Sequence, residues 1–457
     1  MKKIIIFAPI AERESKFYLN IARKIKKVDE DIEIQFISFY QPMNNEILNA
    51  GFKVFDIYSN FSNKQEFFVS DYEETFNIIN MHKLILHEQV TFSENNTQKL
   101  CQKFCLYLNS LDEYLSRLNL KYNKIVIYQE LGGFIAPLSL YFSAQKNNIT
   151  HYFFEPSFFK GRIHMVKNSL LPIDLKDVND KPINEVDLYI NNVIHKKSVA
   201  IPEKDKHHFQ DMSLKKIINN KNINNIFHKL YFKYIKRQSQ EYEYILNHVL
   251  RYFSMWVNRK KLAKYYSKFA GLEESYVYFP FHVQLDYSLT IRSTEYLNQL
   301  SLVEYVSQIL PIGYFLYIKE HPASIGGFKY RNIKDMLRKY RNIRFIHPSE
   351  NSYNIVNNAD VVLTINSKVG AESMISGKEV VAFGSSFYQH SDNIWKVNSL
   401  NQTEAILNQI LKNKKRKNTH NNNIFYKVWN MSYQIELYNN STKNITKVAN
   451  HLIRSFK

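Results

Sequence analysis

Two series of short apolar segments, each separated by amphipathic stretches, constrain the fold of this chain most strongly. The first series gives strand candidates at residues 3–8, 32–38, 53–57, 124–128 and 150–154. The second gives candidates at residues 276–281, 314–319, 343–346, 361–365 and 379–383. Continuously apolar strands that alternate with helices are typical of parallel sheets covered on both faces. The sequence therefore predicts an α/β protein with two Rossmann-like domains that face a cleft.

The length and the change of pattern along the chain predict four regions. With 457 residues, the chain is long enough for two hydrophobic cores. We expect Rossmann-like domains at residues 1–160 and 271–400, a mainly helical basic connector at 161–270, and C-terminal helices at 401–457. Residues 71–120 are predicted to form two long helices. Residues 216–269 are basic and rich in Tyr and Phe, which suits single-stranded nucleic acid, lipid headgroups or a solvated connector.

The charge balance favours anionic partners. Lys and Arg number 61 against 42 Asp and Glu, which gives a net charge of +19. The only two cysteines, Cys101 and Cys105, are four residues apart in a helical pattern and are expected to be buried thiols of a reducing compartment. No segment approaches the ~20 apolar residues of a membrane span. We therefore expect a cytoplasmic protein, with peripheral contact to the inner membrane as one option.

Polar residues follow two of the predicted C-terminal strands. The strand at 314–319 ends at Lys319 and is followed by His321 and Pro322. A histidine here can donate to a phosphate oxygen, and proline fixes the turn, although a His-Pro pair alone is a weak signal. The strand at 361–365 is followed by Asn366 and Ser367 at the start of a predicted helix. A helix N-terminus of this kind favours anions, or Ser367 is a simple cap.

Carboxylates at strand ends supply further candidates. Glu372 lies one turn into the same predicted helix, where it could accept from sugar hydroxyls or only stabilise the helix dipole. Asp286 follows the strand at 276–281 and is a candidate nucleophile or base, or else a turn-stabilising residue. In the N-terminal half, Glu155 ends a strand and Glu130 follows another. Both could equally be surface residues.

Four motifs in this order resemble the capsule polysaccharide synthesis family that includes bacterial β-Kdo transferases. They are Pro-Phe-His-Val-Gln-Leu-Asp-Tyr-Ser at 280–288, Lys-Glu-His-Pro at 319–322, Asn-Ser-Lys-Val-Gly-Ala-Glu at 366–372, and Gly377 and Gly384 followed by Tyr388. The chain departs from the family pattern in that His282 stands where Gln is usual and Gln284 is displaced. Gln-Glu-Leu-Gly at 129–132 also replaces the usual Trp-Asn-Gly.

The resemblance implies a GT-B-like glycosyltransferase that moves Kdo or a related nonulosonic acid from a CMP-activated donor to a polysaccharide or glycolipid acceptor. It places the acceptor on the side of domain 1–160 and the nucleotide sugar in 271–400, with no metal and no cofactor. It implies that Asp286 is the nucleophile of a retaining mechanism, with Glu155 and His321 also catalytic. The implied nucleotide-binding residues are Lys319, His321, Pro322, Asn366, Ser367, Gly370 and Glu372. The implied donor- and acceptor-side residues are Glu130, Gly132, His282, Gln284 and Ser288.

Three alternatives remain open at the level of sequence. A CDP-polyol or UDP-sugar transferase would have a similar plan, but a direct phosphotransfer would need no nucleophile at Asp286. A non-catalytic capsule assembly or export subunit would tolerate replacement of Asp286 and His321. A nucleic-acid binder is not supported by any recognisable motif, so we expect no nucleic-acid partner.

Overall fold

The chain forms two compact α/β units. The computed structural model describes residues 2–61, 68–196, 220–241, 245–269, 271, 273–412 and 422–456. Unit 1 comprises Met1–Leu170, Ile218–His248 and Ser432–Lys457. Unit 2 comprises Leu171–Ile217 and Val249–Met431. Part of the predicted connector at 161–270 falls outside the described residues.

Each unit is built around one sheet. The strands of unit 1 are β1 (Lys3–Phe7), β2 (Glu33–Ser38), β3 (Lys53–Asp56), β4 (Lys124–Glu130), β5 (Thr150–Pro156) and β6 (Ile163–Lys167). Those of unit 2 are β7 (Ser275–Pro280), β8 (Tyr314–Lys319), β9 (Ile343–Ile346), β10 (Val361–Thr364), β11 (Val380–Ala382) and β12 (Ile394–Lys396).

Helices connect and cover the strands. In the first part of the chain they are α1 (Glu12–Val28), α2 (Asn44–Asn49), α3 (Val69–Thr75), α4 (Met81–Phe92), α5 (Thr97–Asn119), α6 (Ile135–Lys146), α7 (Asn184–Lys196) and α8 (Asn220–Leu230). They continue as α9 (Ile245–Leu262), α10 (Tyr287–Thr290), α11 (Gln299–Ile309), α12 (Tyr330–Lys339), α13 (Ser352–Asn358), α14 (Lys368–Ile375), α15 (Thr403–Lys412), α16 (Asn423–Asn430) and α17 (Thr442–Phe456).

The sheet of unit 1 has the strand order β3-β2-β1-β4-β5-β6. The first five of these strands run parallel, as the sequence predicts. Strands β1, β2 and β4 are almost entirely buried, as strands covered on both faces are. The edge strand β6 was not predicted and pairs antiparallel with β5. Its burial is incomplete, so its sequence lacks the continuous apolar signal of the inner strands.

The sheet of unit 2 has the order β12-β11-β10-β7-β8-β9 and is parallel throughout. All five predicted strands are present, and the prediction of two α/β sheets is confirmed. The edge strand β12 has only three residues, none of them fully buried, which explains why no pattern indicated it.

The prediction of two long helices over residues 71–120 is wrong, since three helices, α3, α4 and α5, occupy this segment. Asn80 begins α4 by accepting a hydrogen bond from the Lys83 N–H, and Asn96 begins α5 in the same way. Ser93 ends α4 in a left-handed conformation with φ 52°. Asparagine side chains that compete for backbone N–H groups favour helix starts over helix interiors. Helix α5 buries Cys101 and Cys105 as free thiols, as predicted.

The last helix packs into the hydrophobic core of unit 1. Val448, Ala449, Leu452 and Phe456 of α17 belong to the same buried cluster as Ile5 of β1. The backbone carbonyl of Phe456 also accepts a hydrogen bond from Lys124 at the start of β4. Residues from the two ends of the chain therefore complete one core.

Unit 1 also contains a buried ion-pair network. The Lys103 ammonium donates to both oxygens of Glu88, at 3.1 Å each, and to Glu241 at 2.8 Å. Both carboxylate side chains are fully buried. Tyr107 donates to Glu241 at 2.6 Å, and Glu88 accepts the Ile135 N–H at the start of α6. The network joins α4, α5, the start of α6 and the segment that contains Glu241.

His151 of β5 is a second buried polar residue of unit 1. Its ring stacks on Phe153 at 4.2 Å between centroids, and neither ring nitrogen has a hydrogen-bond partner among the described residues. Burial lowers the pKa of His151 to about 3, so the ring is neutral at physiological pH.

No helix within the described ranges is both long and apolar enough to cross a bilayer.

Candidate active site at the carboxyl edge of the second sheet

Three neighbouring strands of unit 2 end in the predicted site residues. Strand β7 lies between β10 and β8, and all three run in the same direction. Their carboxyl ends therefore lie side by side, which is where ligands bind in open α/β sheets.

His282, after β7, is a buried residue that links two strand ends. Its Nε2 accepts the Ile365 N–H at 3.3 Å and lies 3.3 Å from the Thr364 hydroxyl, so the end of β7 is tied to that of β10. Gln299 holds the His282 backbone by accepting its N–H at 2.7 Å and donating to its carbonyl at 3.2 Å. Burial lowers the pKa of His282 to about 4, which outweighs the opposite effect of Asp286. A neutral His282 thus positions the loop.

Asp286 starts the short helix α10 and is exposed to solvent. Its Oδ1 accepts from the Ser288 N–H at 2.8 Å and also from the Ser288 hydroxyl. The surrounding protein favours a higher pKa, but these hydrogen bonds and the nearby imidazoles of His282 and His321 hold the pKa of Asp286 below its usual value. Asp286 is therefore an accessible, ionised carboxylate. Gln284, in the same loop, is half-buried.

Asn366 and Ser367, after β10, connect this strand end to the Asp286 loop. The Asn366 amide donates to the Ser288 carbonyl at 2.7 Å and to the Ser293 hydroxyl at 2.9 Å. Its Oδ1 is buried and has no donor within the described part of the chain. Ser367 caps α14 by accepting the Val369 N–H at 3.3 Å. The N-terminus of α14, with its partial positive charge, therefore lies beside the Asp286 loop. A helix N-terminus in this position can bind an anion.

Gly370 and Glu372 occupy the first turns of α14. A Cβ at Gly370 would lie 2.4 Å from the Tyr388 hydroxyl, so only glycine lets the buried Tyr388 donate to the Ser367 carbonyl at 2.6 Å. Glu372 is half-buried, and desolvation raises its pKa to about 7, with Lys368 opposing the shift. The Gly and Tyr of the sequence motifs thus fix the geometry of the cap.

The end of β8 carries Lys319, His321 and Pro322. The Lys319 ammonium is buried and donates to the Glu350 carbonyl and the Ser352 hydroxyl, both at 2.7 Å. Burial lowers the pKa of Lys319 to about 8. His321 is half-buried, and its Nδ1 accepts the Ala323 N–H at 3.2 Å, across the short turn that begins at Pro322. In neutral His321 the proton is therefore on Nε2, which is the nitrogen suited to donate to a phosphate oxygen.

The remaining predicted residues lie in unit 1 at the carboxyl edge of its own sheet. Glu130 ends β4 and is paired in register with Phe154, directly before Glu155 of β5, and both carboxylates are half-buried. Gly132 has room for a Cβ, which would lie 3.6 Å from Pro137. The close approach in this loop is instead at Gly133, where a Cβ would lie 2.6 Å from the His87 ring. A protein contact therefore accounts for that glycine.

Sequence reasoning missed two buried residues at the carboxyl edge of the unit 2 sheet. Gln299 is fully buried and holds both backbone groups of His282, but it lies 17 residues away in a helix that carries no motif. Glu320 accepts the Tyr266 hydroxyl at 2.6 Å and the Gly326 N–H at 2.9 Å. Burial raises the pKa of Glu320 to about 7. Its position inside the Lys-Glu-His-Pro motif was the available signal.

Similar solved structures include the β-Kdo 2,7 transferase KpsC of Thermosulfurimonas dismutans, at 14% identity and a TM-score of 0.35. That match covers 76% of this chain and 90% of the other. They also include a glycosyltransferase from Rickettsia africae ESF-5, at 12% identity and a TM-score of 0.32, covering 100% and 98% of the two chains. Protein FixF of Sinorhizobium fredii (strain NBRC 101917 / NGR234) is 30% identical over 139 residues, which span 30% of this chain and only a third of FixF.

A family model described as capsule polysaccharide biosynthesis protein matches residues 140–428. The match includes all three strand ends described above and more than half of the chain. The chain therefore belongs to the capsule polysaccharide biosynthesis protein family.

Proposed function

We propose that this chain is a glycosyltransferase that moves Kdo or a related nonulosonic acid from its CMP-activated form to a surface polysaccharide or glycolipid acceptor. The observation that carries the proposal is the grouping of Asp286, His321 and Ser367 at adjacent strand ends of one sheet, in a member of the capsule polysaccharide biosynthesis family. The grouping supplies an ionised carboxylate, a hydrogen-bond donor for a phosphate oxygen and a helix N-terminus at one edge of the sheet.

The phosphate of the donor would bind between His321 and the start of α14. The leaving group of a CMP-sugar is CMP, a phosphate monoester. The negative charge that develops on its phosphate would be stabilised by the His321 Nε2–H and the positive helix end at Ser367. No metal or cofactor is part of the proposal. Lys319 is engaged with Glu350 and Ser352, so its contribution is to hold the strand end in place unless those bonds exchange for phosphate.

The nucleoside would bind beside Asn366 and Glu372. The buried Asn366 Oδ1 lacks a donor among the described residues, which a hydroxyl or amino group of the nucleoside would supply. Glu372, as the carboxylate, would accept from the ribose hydroxyls. Its raised pKa means that this contact weakens as the pH falls below about 7.

The chemical step would be two successive displacements. Asp286 forms a bond from a carboxylate oxygen to the anomeric carbon, while the bond from that carbon to the phosphate oxygen breaks and CMP leaves with the electron pair. An acceptor hydroxyl then attacks the same carbon, Asp286 leaves as carboxylate, and the hydroxyl proton passes to a general base. Two inversions retain the configuration. Because both Ser288 hydrogen bonds end on Oδ1, Oδ2 is the proposed attacking atom.

The first experiment is calorimetric titration of the whole protein with CMP, UDP and CDP, with and without magnesium. We expect CMP to bind without magnesium and His321→Ala to abolish that binding. His347→Ala is the matched control, because His347 also follows a strand, precedes a proline and accepts a backbone N–H through Nδ1, at 3.2 Å.

Each other outcome has a defined meaning. A preference for UDP or CDP would indicate a transferase of another activated group. An equal loss in both variants would mean that the histidines act through local folding. Absence of any nucleotide binding would refute the transferase and favour a non-catalytic role in capsule assembly.

A further inference from the structure

Helix α8 and the π-helical turn that follows it, Tyr231–Ile235, expose a stripe of apolar side chains. Phe227 is 65% exposed, Tyr234 66% and Ile235 70%, while Tyr231 is 43% exposed. Their spacing of three and four residues places them on one side of a helix. Single exposed apolar residues are ordinary, but a continuous stripe of this kind marks an interaction surface.

The same segment is strongly basic. Residues 220–240 contain five Lys and Arg and no Asp or Glu. Lys236 and Arg237 are exposed directly after the π-helical turn, and the Lys236 ammonium lies 5.8 Å from the centre of the Tyr231 ring. Apolar and basic groups are thus interleaved. We call Phe227, Tyr231, Tyr234, Ile235, Lys236 and Arg237 the connector surface.

The connector surface is firmly attached to unit 1. Directly after it, the Ser239 N–H donates to the Gln41 side chain at 2.6 Å, and the Gln41 N–H donates to the Ser239 carbonyl at 3.2 Å. Glu241 then enters the buried network with Lys103 and Tyr107. A surface held in this way can orient the whole of unit 1 on a partner.

We infer that the connector surface docks unit 1 on an anionic lipid bilayer. The basic residues match the negative charge of the headgroups, and the apolar stripe can enter the boundary between headgroups and acyl chains. Single-stranded nucleic acid would also match the charge and could stack on the tyrosines. It offers no comparable apolar environment for Ile235 or for the aliphatic face of α8, so the bilayer is the better match. The inference is independent of the proposed chemistry.

The test is co-sedimentation of the whole protein with vesicles of phosphatidylcholine, alone or mixed with phosphatidylglycerol. We expect the wild type to bind the anionic vesicles preferentially. Reversing two charges, in Lys236→Glu with Arg237→Glu, should weaken binding at least ~30-fold, since each basic residue near an anionic surface contributes about 1 kcal/mol. Replacing Phe227, Tyr234 and Ile235 together by Ser should weaken it at least ~10-fold, because their apolar burial is lost.

Matched variants control for net charge and for exposed apolar area. Arg23→Glu with Lys27→Glu makes the same change in charge on exposed positions of α1. Replacing Ile79, Leu120 and Ile312 by Ser removes side chains that are 98%, 91% and 105% exposed. Both should bind vesicles like the wild type, and circular dichroism should show all four variants folded.

Three results would overturn the inference. One is equal loss of binding in the connector variants and their matched controls. Another is equal binding of the wild type to vesicles with and without phosphatidylglycerol. The third is binding of the wild type to a single-stranded uridine oligonucleotide without any sedimentation with vesicles. No donor or acceptor is present in the assay, so its failure would leave the transferase proposal intact.

Discussion

Replacing Gly370 by Ala should have two opposite effects on the free energy of unfolding of unit 2, and the sizes of the two effects can be compared. In the interior of a helix, Ala is favoured over Gly by about 1 kcal/mol. At this position the new Cβ would lie 2.4, 2.6 and 2.8 Å from the Oη, Cζ and Cε2 atoms of Tyr388. Tyr388 is fully buried, so the ring has no free space into which it can move. Overpacking costs about 1–3 kcal/mol, and loss of the hydrogen bond to Ser367 costs about 1 kcal/mol.

The net expectation for Gly370→Ala is a loss of about 1–3 kcal/mol in the free energy of unfolding of unit 2. All three tryptophans, Trp256, Trp395 and Trp429, belong to that unit, so tryptophan fluorescence during urea unfolding follows unit 2 selectively. CMP affinity should fall as well, because Tyr388 fixes the cap at Ser367.

A double-mutant cycle separates the clash from other effects. Tyr388→Leu removes the three ring atoms that Gly370→Ala would meet. The combined variant should be more stable than the sum of the single changes by at least about 1 kcal/mol. Gly132→Ala, in unit 1 and with 3.6 Å to its nearest neighbour, should leave urea unfolding followed by far-UV circular dichroism unchanged. An unchanged or higher urea midpoint for Gly370→Ala would refute the reasoning.

Three further predictions concern chemistry, pairing and pH. With a CMP-activated donor and no acceptor, intact mass should rise by one sugar residue, and Asp286→Asn should abolish the adduct; an adduct that persists would exclude Asp286 as nucleophile. Lys103→Met leaves two buried carboxylates unpaired and should cost about 3–5 kcal/mol in chemical unfolding followed by circular dichroism, whereas Lys146→Met, at a partly exposed pair, should cost less than about 1 kcal/mol. Because burial lowers the pKa of His151, unit 1 should keep its full free energy of unfolding above pH ~6.5 and lose about 2 kcal/mol of it by pH 5, as the unfolded chain takes up a proton. His151→Phe should flatten this pH dependence, and an unaltered slope would contradict the prediction.

The sequence predicts the inner strands of both sheets because burial on two faces demands continuous apolar residues. It does not predict the edge strands β6 and β12, whose residues are incompletely buried, although it predicts the other two edge strands, β3 and β9. The three strand-end motifs lie together because parallel strands end at one edge, which topology alone requires. The hydrogen-bond partners of buried side chains are harder to predict from the sequence. No local pattern indicates that Lys319 donates to Glu350 and Ser352, or that Gln299 holds His282.

Long-range pairing sets the same limit in unit 1. Lys103 and Glu241 are separated by 138 residues, and neither belongs to a recognisable motif. Their contact depends on how residues 239–241 pack against residues 40–41 and α5, which is a property of the tertiary structure. The sequence shows only that a lysine and a glutamate are present.

The position of α17 has a consequence for synthesis on the ribosome. The core of unit 1 includes both Ile5 and Leu452, so it cannot close until the residues of α17 have been translated. At roughly 5–20 residues per second, residue 456 is made about 15–60 s after residue 170. During that interval the N-terminal sheet lacks its last covering helix, while unit 2, made almost entirely of Leu171–Met431, can already fold. We therefore expect nascent chains to depend on a holding chaperone that shields the uncovered face of β1 and α1.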